Sequence, residues 1–176
     1  DLRDVVAVDM RNHGASGWTD SHSYPDMAGD LAEVIAGLGG RVDLLGHSMG
    51  GKACMQLALT AGDLVRRLVV ADIAPVAYSH DQTQYIDAMR GLDLAGVTMR
   101  GEADRRLAVF VEDAGMRAFF LQSLDLKAEG GPRWRLNFDT LAREMPKIVG
   151  WPGTGGQFDG ATLFLTGADS HYVKSE

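Results

Sequence analysis

Read only for apolar and polar positions, the chain alternates short apolar runs with segments of helical period. Val5-Val6-Ala7-Val8 is a β-branched run between charged residues, closed by Asp9 and a polar loop, and predicts a buried strand. From Tyr24 to Leu38 the apolar positions Met27, Leu31, Val34, Ile35 and Leu38 recur at helical spacing. Ser23 stands at the N-cap position, Pro25 in the first turn, and Gly39-Gly40 supplies the stop. A strand at Val42–Leu45, a Gly-rich turn, a helix at Gly50–Ala61 and a strand at Leu68–Asp72 follow. The order β-α-β-α-β with short links predicts a parallel sheet covered by helices.

After Ile73-Ala74-Pro75 the period changes. Helical stretches are expected around His80–Met89, Glu102–Val111, Glu112–Leu124 and Phe138–Val149, with no buried strand among them. The loop Gly-Trp-Pro-Gly-Thr-Gly-Gly-Gln-Phe-Asp-Gly then leads into a strand at Thr162–Thr166. The expected organisation is a core at residues 1–75, a helical cap at 76–151 and a return to the core at 152–176. Met89, Met99, Met116, Phe119, Phe120, Trp134, Met145 and Trp151 supply the cap's large apolar side chains, which fill its own core or line an acyl pocket.

The turn before the second helix carries the chemistry. Gly46-His47-Ser48-Met49-Gly50 is G-x-S-x-G, the strand-to-helix elbow that presents a nucleophilic serine. Gly46, Gly51 and Lys52 also match most of the phosphate-binding G-x-x-x-x-G-K-[ST]. That motif needs a hydroxyl after the lysine to hold Mg²⁺, and the residue there is Ala53. The serine reading has its strand, its helix and both glycines, which are expected to be required because side chains at Gly46 and Gly50 would collide with neighbouring backbone. Ser48 is therefore the candidate nucleophile, and the Met49 N–H the candidate oxyanion donor. Epoxide and haloalkane hydrolysis want Asp in place of Ser48.

Composition removes other classes. Of 176 residues 45% are hydrophobic and 23% charged, and the net charge is −7 without a Lys/Arg run, which argues against nucleic acid and anionic membrane surfaces as partners. No apolar run reaches the roughly 20 residues of a membrane span. Cys54 is the single cysteine, so no intramolecular disulfide forms, and a reducing, cytoplasmic setting is favoured. Residue 1 is Asp and a strand pattern begins almost at once, so a preceding signal peptide stays open and the chain reads as truncated at both ends.

Four stretches together resemble the α/β-hydrolase superfamily, and more closely its YbfF-type bacterial serine esterase branch. They are Asp9-Met10-Arg11-Asn12-His13-Gly14-Ala15-Ser16, Gly46 to Lys52, Val69-Val70-Ala71-Asp72-Ile73-Ala74-Pro75, and Phe164-Leu165-Thr166-Gly167-Ala168-Asp169-Ser170-His171-Tyr172-Val173. The resemblance implies an α/β-hydrolase fold, a mostly parallel sheet with a helical cap inserted between two late strands. It also implies two parts beyond this chain: an upstream strand with a His-Gly oxyanion loop, and a catalytic His beyond a further strand. His13-Gly14 follows a different strand and is read as a structural loop, with Asp9 as its former.

The superfamily orders its triad Ser, then acid, then His. The commoner acid position falls at Ser170, with Asp169 one residue early. The YbfF-type branch resembles this chain in lacking an acid there and places it after the earlier strand, which maps onto Asp72. Asp72 is the preferred acid and Asp169 the alternative. Of His13, His22, His47, His80 and His171, only His171 follows the last strand, and it is the in-chain rival for the base. Lys52 and Cys54 are given no functional role. The expected activity is a carboxylesterase or acyl thioesterase acting on small acyl esters through an acyl-enzyme, with no cofactor and no metal, as part of a longer protein. The competing reading is a non-catalytic hydrolase-fold ligand-binding protein, or an inactive fragment without the catalytic His.

Overall fold

The computed structural model describes residues 3–79, 82–170 and 172–173. In chain order its elements are α1 (Tyr24–Gly37), β1 (Val42–His47), α2 (Met49–Thr60), a 3-10 turn (Gly62–Leu64), β2 (Val65–Ala71), α3 (Thr83–Arg90), α4 (Arg100–Leu107), α5 (Ala114–Leu121), β3 (Leu124–Asp125), β4 (Arg133–Trp134), α6 (Phe138–Val149) and β5 (Ala161–Leu165). They group into two compact units, one of residues 1–20 with 81–145 and one of residues 21–80 with 146–176.

The second unit is the α/β part. Its sheet has the order β1-β2-β5, and both pairings are parallel, Leu44 opposite Leu68 and Val70 opposite Phe164. β2 is central and buries Val65, Leu68 and Val70. α2 packs on β1, β2 and α1 and is buried from Gly51 to Ala58, as a helix apolar on nearly every side must be. α1 begins where its sequence says it should: the Ser23 hydroxyl accepts from the Asp26 N–H at 3.3 Å, and Tyr24, Met27, Ala28, Leu31 and Ile35 form the buried stripe. Every residue of β5 is exposed.

The first unit is mainly helical. α4 and α5 pack together, with Arg117 Nε donating to Asp104 Oδ1 at 2.8 Å. Two expectations are corrected here. Val5–Val8 is not a buried strand: Val5 is 87% and Val6 54% exposed, and no described strand pairs with them. A β-branched run favours extended backbone, but only a neighbouring ladder makes it a strand. The helical region also contains a strand pair, β3 antiparallel to β4, which two-residue strands cannot announce through any period. Of the large apolar side chains, Met89, Phe120 and Met145 are core, whereas Met99 and Phe119 are more than half exposed.

The polar segment before α1 makes its own scaffold. Gly14 has φ 58°, and a Cβ there would sit 2.0 Å from the Asp9 carboxylate, which accepts the Ala15 N–H at 2.8 Å. Buried Asn12 accepts from Thr19 N–H at 2.8 Å and from Asn137 Nδ2 at 3.0 Å. His13 Nδ1 lies 3.0 Å from the Arg11 carbonyl, and burial pushes its pKa down. These contacts agree with reading Asp9 and His13 as loop formers.

Candidate functional site at the strand ends

The carboxyl ends of parallel strands are where open α/β sheets place ligands, because the strands stop there and the loops diverge. Ser48 and Asp72 are each the first residue beyond their strand. Ser48 N–H donates to the Ala71 carbonyl at 3.0 Å and Asp72 N–H to the Leu165 carbonyl at 2.8 Å, so each is held by one last ladder bond. The chain then turns sharply. Among the described residues the non-glycine positions with positive φ are Asn12 at 66°, Ser48 at 51° and Asp72 at 54°. Such backbone costs about 1–3 kcal/mol per residue and persists only where its surroundings enforce it.

The enforcement at Ser48 is visible atom by atom. A Cβ on Gly46 would lie 2.3 Å from the Gly50 carbonyl oxygen and 2.7 Å from Cys54 Sγ, and one on Gly51 2.7 Å from Ile73 Cγ2. Gly50 is different, because nothing lies within 4 Å of a Cβ placed there. The expected collision at Gly50 is therefore corrected: Gly46 and Gly51 are the tight positions. Gly46→Ala should lower stability by about 3 kcal/mol, since backbone cannot rotate out of the way. Gly50→Ala should be neutral or stabilising by up to about 1 kcal/mol from helix propensity. Denaturant unfolding of the two variants checks this contrast; equal losses would mean that the elbow is not packed as described.

Ser48 opens α2 without a side-chain cap, and Met49 is the first helical residue, so its N–H has no intrahelical acceptor and sits at the positive end of the helix dipole. Met49 Sδ is 3.3 Å from Nε2 of the buried His22. Asp72 projects into the turn that follows β5. Its Oδ1 accepts from Gly167 N–H at 3.2 Å and from Thr166 Oγ1 at 3.4 Å. The Ser170 hydroxyl bond is the largest influence holding its pKa below the usual carboxylate value; partial burial opposes it, and Gly167, Thr166 and the charge of His47 add to it. The Ser170 hydroxyl thus serves the Asp72 carboxylate as a donor. Asp169 is exposed. His47 is exposed at the end of β1, and His171, the rival base, lies outside the described residues.

Lys52, to which the sequence assigns no role, meets Tyr24 and Tyr78 in this neighbourhood. Lys52, only 1% exposed, donates to the carbonyls of Val149 at 3.1 Å and Gly150 at 2.6 Å. Its Nζ stands 4.7 Å from the Tyr78 ring centroid and 5.5 Å from that of Tyr24. Burial pushes its pKa down to about 8. The one charged residue in the Met49–Leu59 helical stretch is the available signal. Among the described residues no group of three His, Cys, Asp or Glu side chains could hold a metal ion, and no helix is long and apolar enough to cross a membrane. A cavity of about 300 Å³ lies among Gln84, Tyr85, Phe110, Val111, Glu112 and Asp113, and it includes neither Ser48 nor Asp72.

Proteins similar to this chain include esterases and a lipase. The chain is 40% identical over 179 residues to the sn-1-specific diacylglycerol lipase ABHD11 of Mus musculus, covering 98% of this chain and 58% of that protein. It is 35% identical over 176 residues to esterase YbfF of Escherichia coli, covering 98% and 66%. A marine microorganism esterase superposes with a TM-score of 0.85 at 33% identity, over 94% of this chain and 67% of that one. The chain thus spans 58% of the length of the mouse relative and about two thirds of the bacterial one. The model of the Alpha/beta hydrolase family matches residues 1–174. The chain belongs to the α/β-hydrolase family.

Proposed function

We propose that the protein of which this chain is part is a serine hydrolase that cleaves small acyl esters or thioesters through an acyl-enzyme. Ser48 Oγ attacks the acyl carbonyl carbon and passes its proton to an imidazole that the carboxylate of Asp72 orients. The carbonyl oxygen becomes an oxyanion held by the Met49 N–H at the head of α2. The C–O or C–S bond to the leaving group breaks as the imidazolium protonates it. Water, deprotonated by the same imidazole, then releases the acid and restores Ser48. No metal or organic cofactor takes part in these steps.

The observation that supports this reading best is the pair of left-handed residues at neighbouring strand ends, one a hydroxyl at a helix head and the other a stabilised carboxylate. Strain of that kind at two such side chains is difficult to attribute to packing. The esterases and lipase among the relatives are consistent with ester substrates.

The direct test is to treat the full gene product with a fluorophosphonate and locate the adduct by mass spectrometry. A stoichiometric adduct on Ser48 is expected. An adduct elsewhere would remove Ser48 from the mechanism, and no adduct at all would favour the non-catalytic binding reading.

A further inference from the structure

The chain leaves and re-enters the α/β unit through two stretches, residues 72–79 and 146–151, and both are fastened to one lysine. The carbonyls of Ile148, Val149 and Gly150 close α6 and have no acceptor role left inside that helix. Tyr24 OH donates to Ile148 O at 2.5 Å, Tyr78 N–H to Val149 O at 2.9 Å, and Lys52 Nζ to Val149 O and Gly150 O. A cation at this helix end also suits its dipole. Tyr78 carries the connection onward: its hydroxyl accepts from Ala74 N–H and donates to Tyr172 O, both at 2.9 Å. Ala74 is two residues past Asp72, and Tyr172 two past Ser170. Lys52 itself closes the first turn of α2, its N–H donating to the Ser48 carbonyl at 3.2 Å.

We propose that Lys52, acting through Tyr78, is a positioning residue that holds Ser48 and the Asp72 loop in their reactive relation by tying both connecting stretches to the nucleophile helix. The inference rests on the serine-hydrolase reading above. A purely packing role would be served better by a methionine of the same length, because a buried ammonium must be stripped of water. The low pKa of Lys52 reflects that cost. What the ammonium adds is direction: it fixes two specified carbonyls, and its place on α2 converts that into the position of Ser48. Misplacing a reacting group by about 1 Å can lower a rate about a hundredfold.

The experiment compares wild type, Lys52→Met and Tyr78→Phe of the full gene product for kcat and KM on a short acyl ester, fluorophosphonate labelling rate at Ser48, and thermal unfolding. Lys52→Met is expected to lower kcat by about ten- to a hundredfold with KM changed less than about threefold, and to slow Ser48 labelling in parallel. Tyr78→Phe, which removes only the bridging hydroxyl, is expected to lower kcat about three- to tenfold in a protein that still melts cooperatively. Unchanged kcat in a folded variant, or a loss confined to KM, overturns the proposal. If Lys52→Met does not fold, Tyr78→Phe decides by the same criteria. A wild type that neither hydrolyses ester nor labels at Ser48 sinks the serine-hydrolase reading and this proposal with it, whereas an active wild type with equally active variants sinks this proposal alone.

Discussion

Replacing Ser48 with Ala in the full gene product should lower kcat for a short acyl ester by about 10⁶-fold, the scale of losing the nucleophile from a serine–histidine pair. It should leave the fold intact. The two losses separate because Ser48 is exposed to reaction by its backbone and not by its side chain: φ 51° and ψ −124° belong to the elbow, which Gly46 and Gly51 enforce from below. Ala inherits the same strained backbone and removes only the oxygen. Ser48→Gly sharpens the test, because the conformation mirrors an ordinary extended one and is open to glycine. That variant should be as inactive as the alanine one and more stable than it by about 1 kcal/mol in denaturant unfolding. Activity surviving in either variant would mean that hydrolysis, if present, is done elsewhere. Equal stability of the two would mean that the elbow stores no strain.

How far the sequence could be read depends on whether each feature is local. α1 and α6 were legible because helical period, the Ser23 cap and the flanking glycines all act within one segment; α6 has the expected ends, Phe138 and Val149. The parallel order of β1 and β2 was legible from the lengths between them, as was the elbow from its glycines, although the reason for the second glycine was not: no neighbour contests the Cβ space at Gly50. Val5–Val8 failed because strand identity is a property of pairs of segments, and the run itself encodes only an extended backbone. The β3–β4 pair failed for want of length. Lys52 was passed over because a lone lysine normally snorkels to solvent, and only the fold brings the carbonyls of Val149 and Gly150 to its tip. Sequence order admits either Asp72 or Asp169 as the acid, and only the resemblance prefers Asp72. The fold adds that the turn after β5 closes around the carboxylate of Asp72 while Asp169 faces solvent.

Asp72→Asn should therefore lower kcat by about 10⁴-fold, because an amide can hold the imidazole only in the wrong tautomer and offers no charge to the imidazolium. The substitution is clean at this position. Asn tolerates φ 54° as readily as Asp, and its oxygen can still accept from Gly167 N–H, so the turn survives and the lost charge is what the assay reads. Asp169→Asn, on an exposed side chain, should change kcat less than about threefold. The pH dependence follows from the sign of the Asp72 shift. Its pKa in the folded protein is lower than in the unfolded chain, led by the Ser170 hydroxyl. Its ionisation thus contributes stability above the unfolded value of about 3.9, and that contribution is lost only as pH falls below it through the folded pKa. Across neutral pH Asp72 remains a carboxylate. The acid limb of kcat/KM should accordingly belong to the imidazole, near its ordinary value of about 6.5 or above it, and not to the carboxyl group. If Asp169→Asn proves the crippling change and Asp72→Asn the mild one, the acid sits after β5 and the hydrogen bonds around Asp72 only brace a turn.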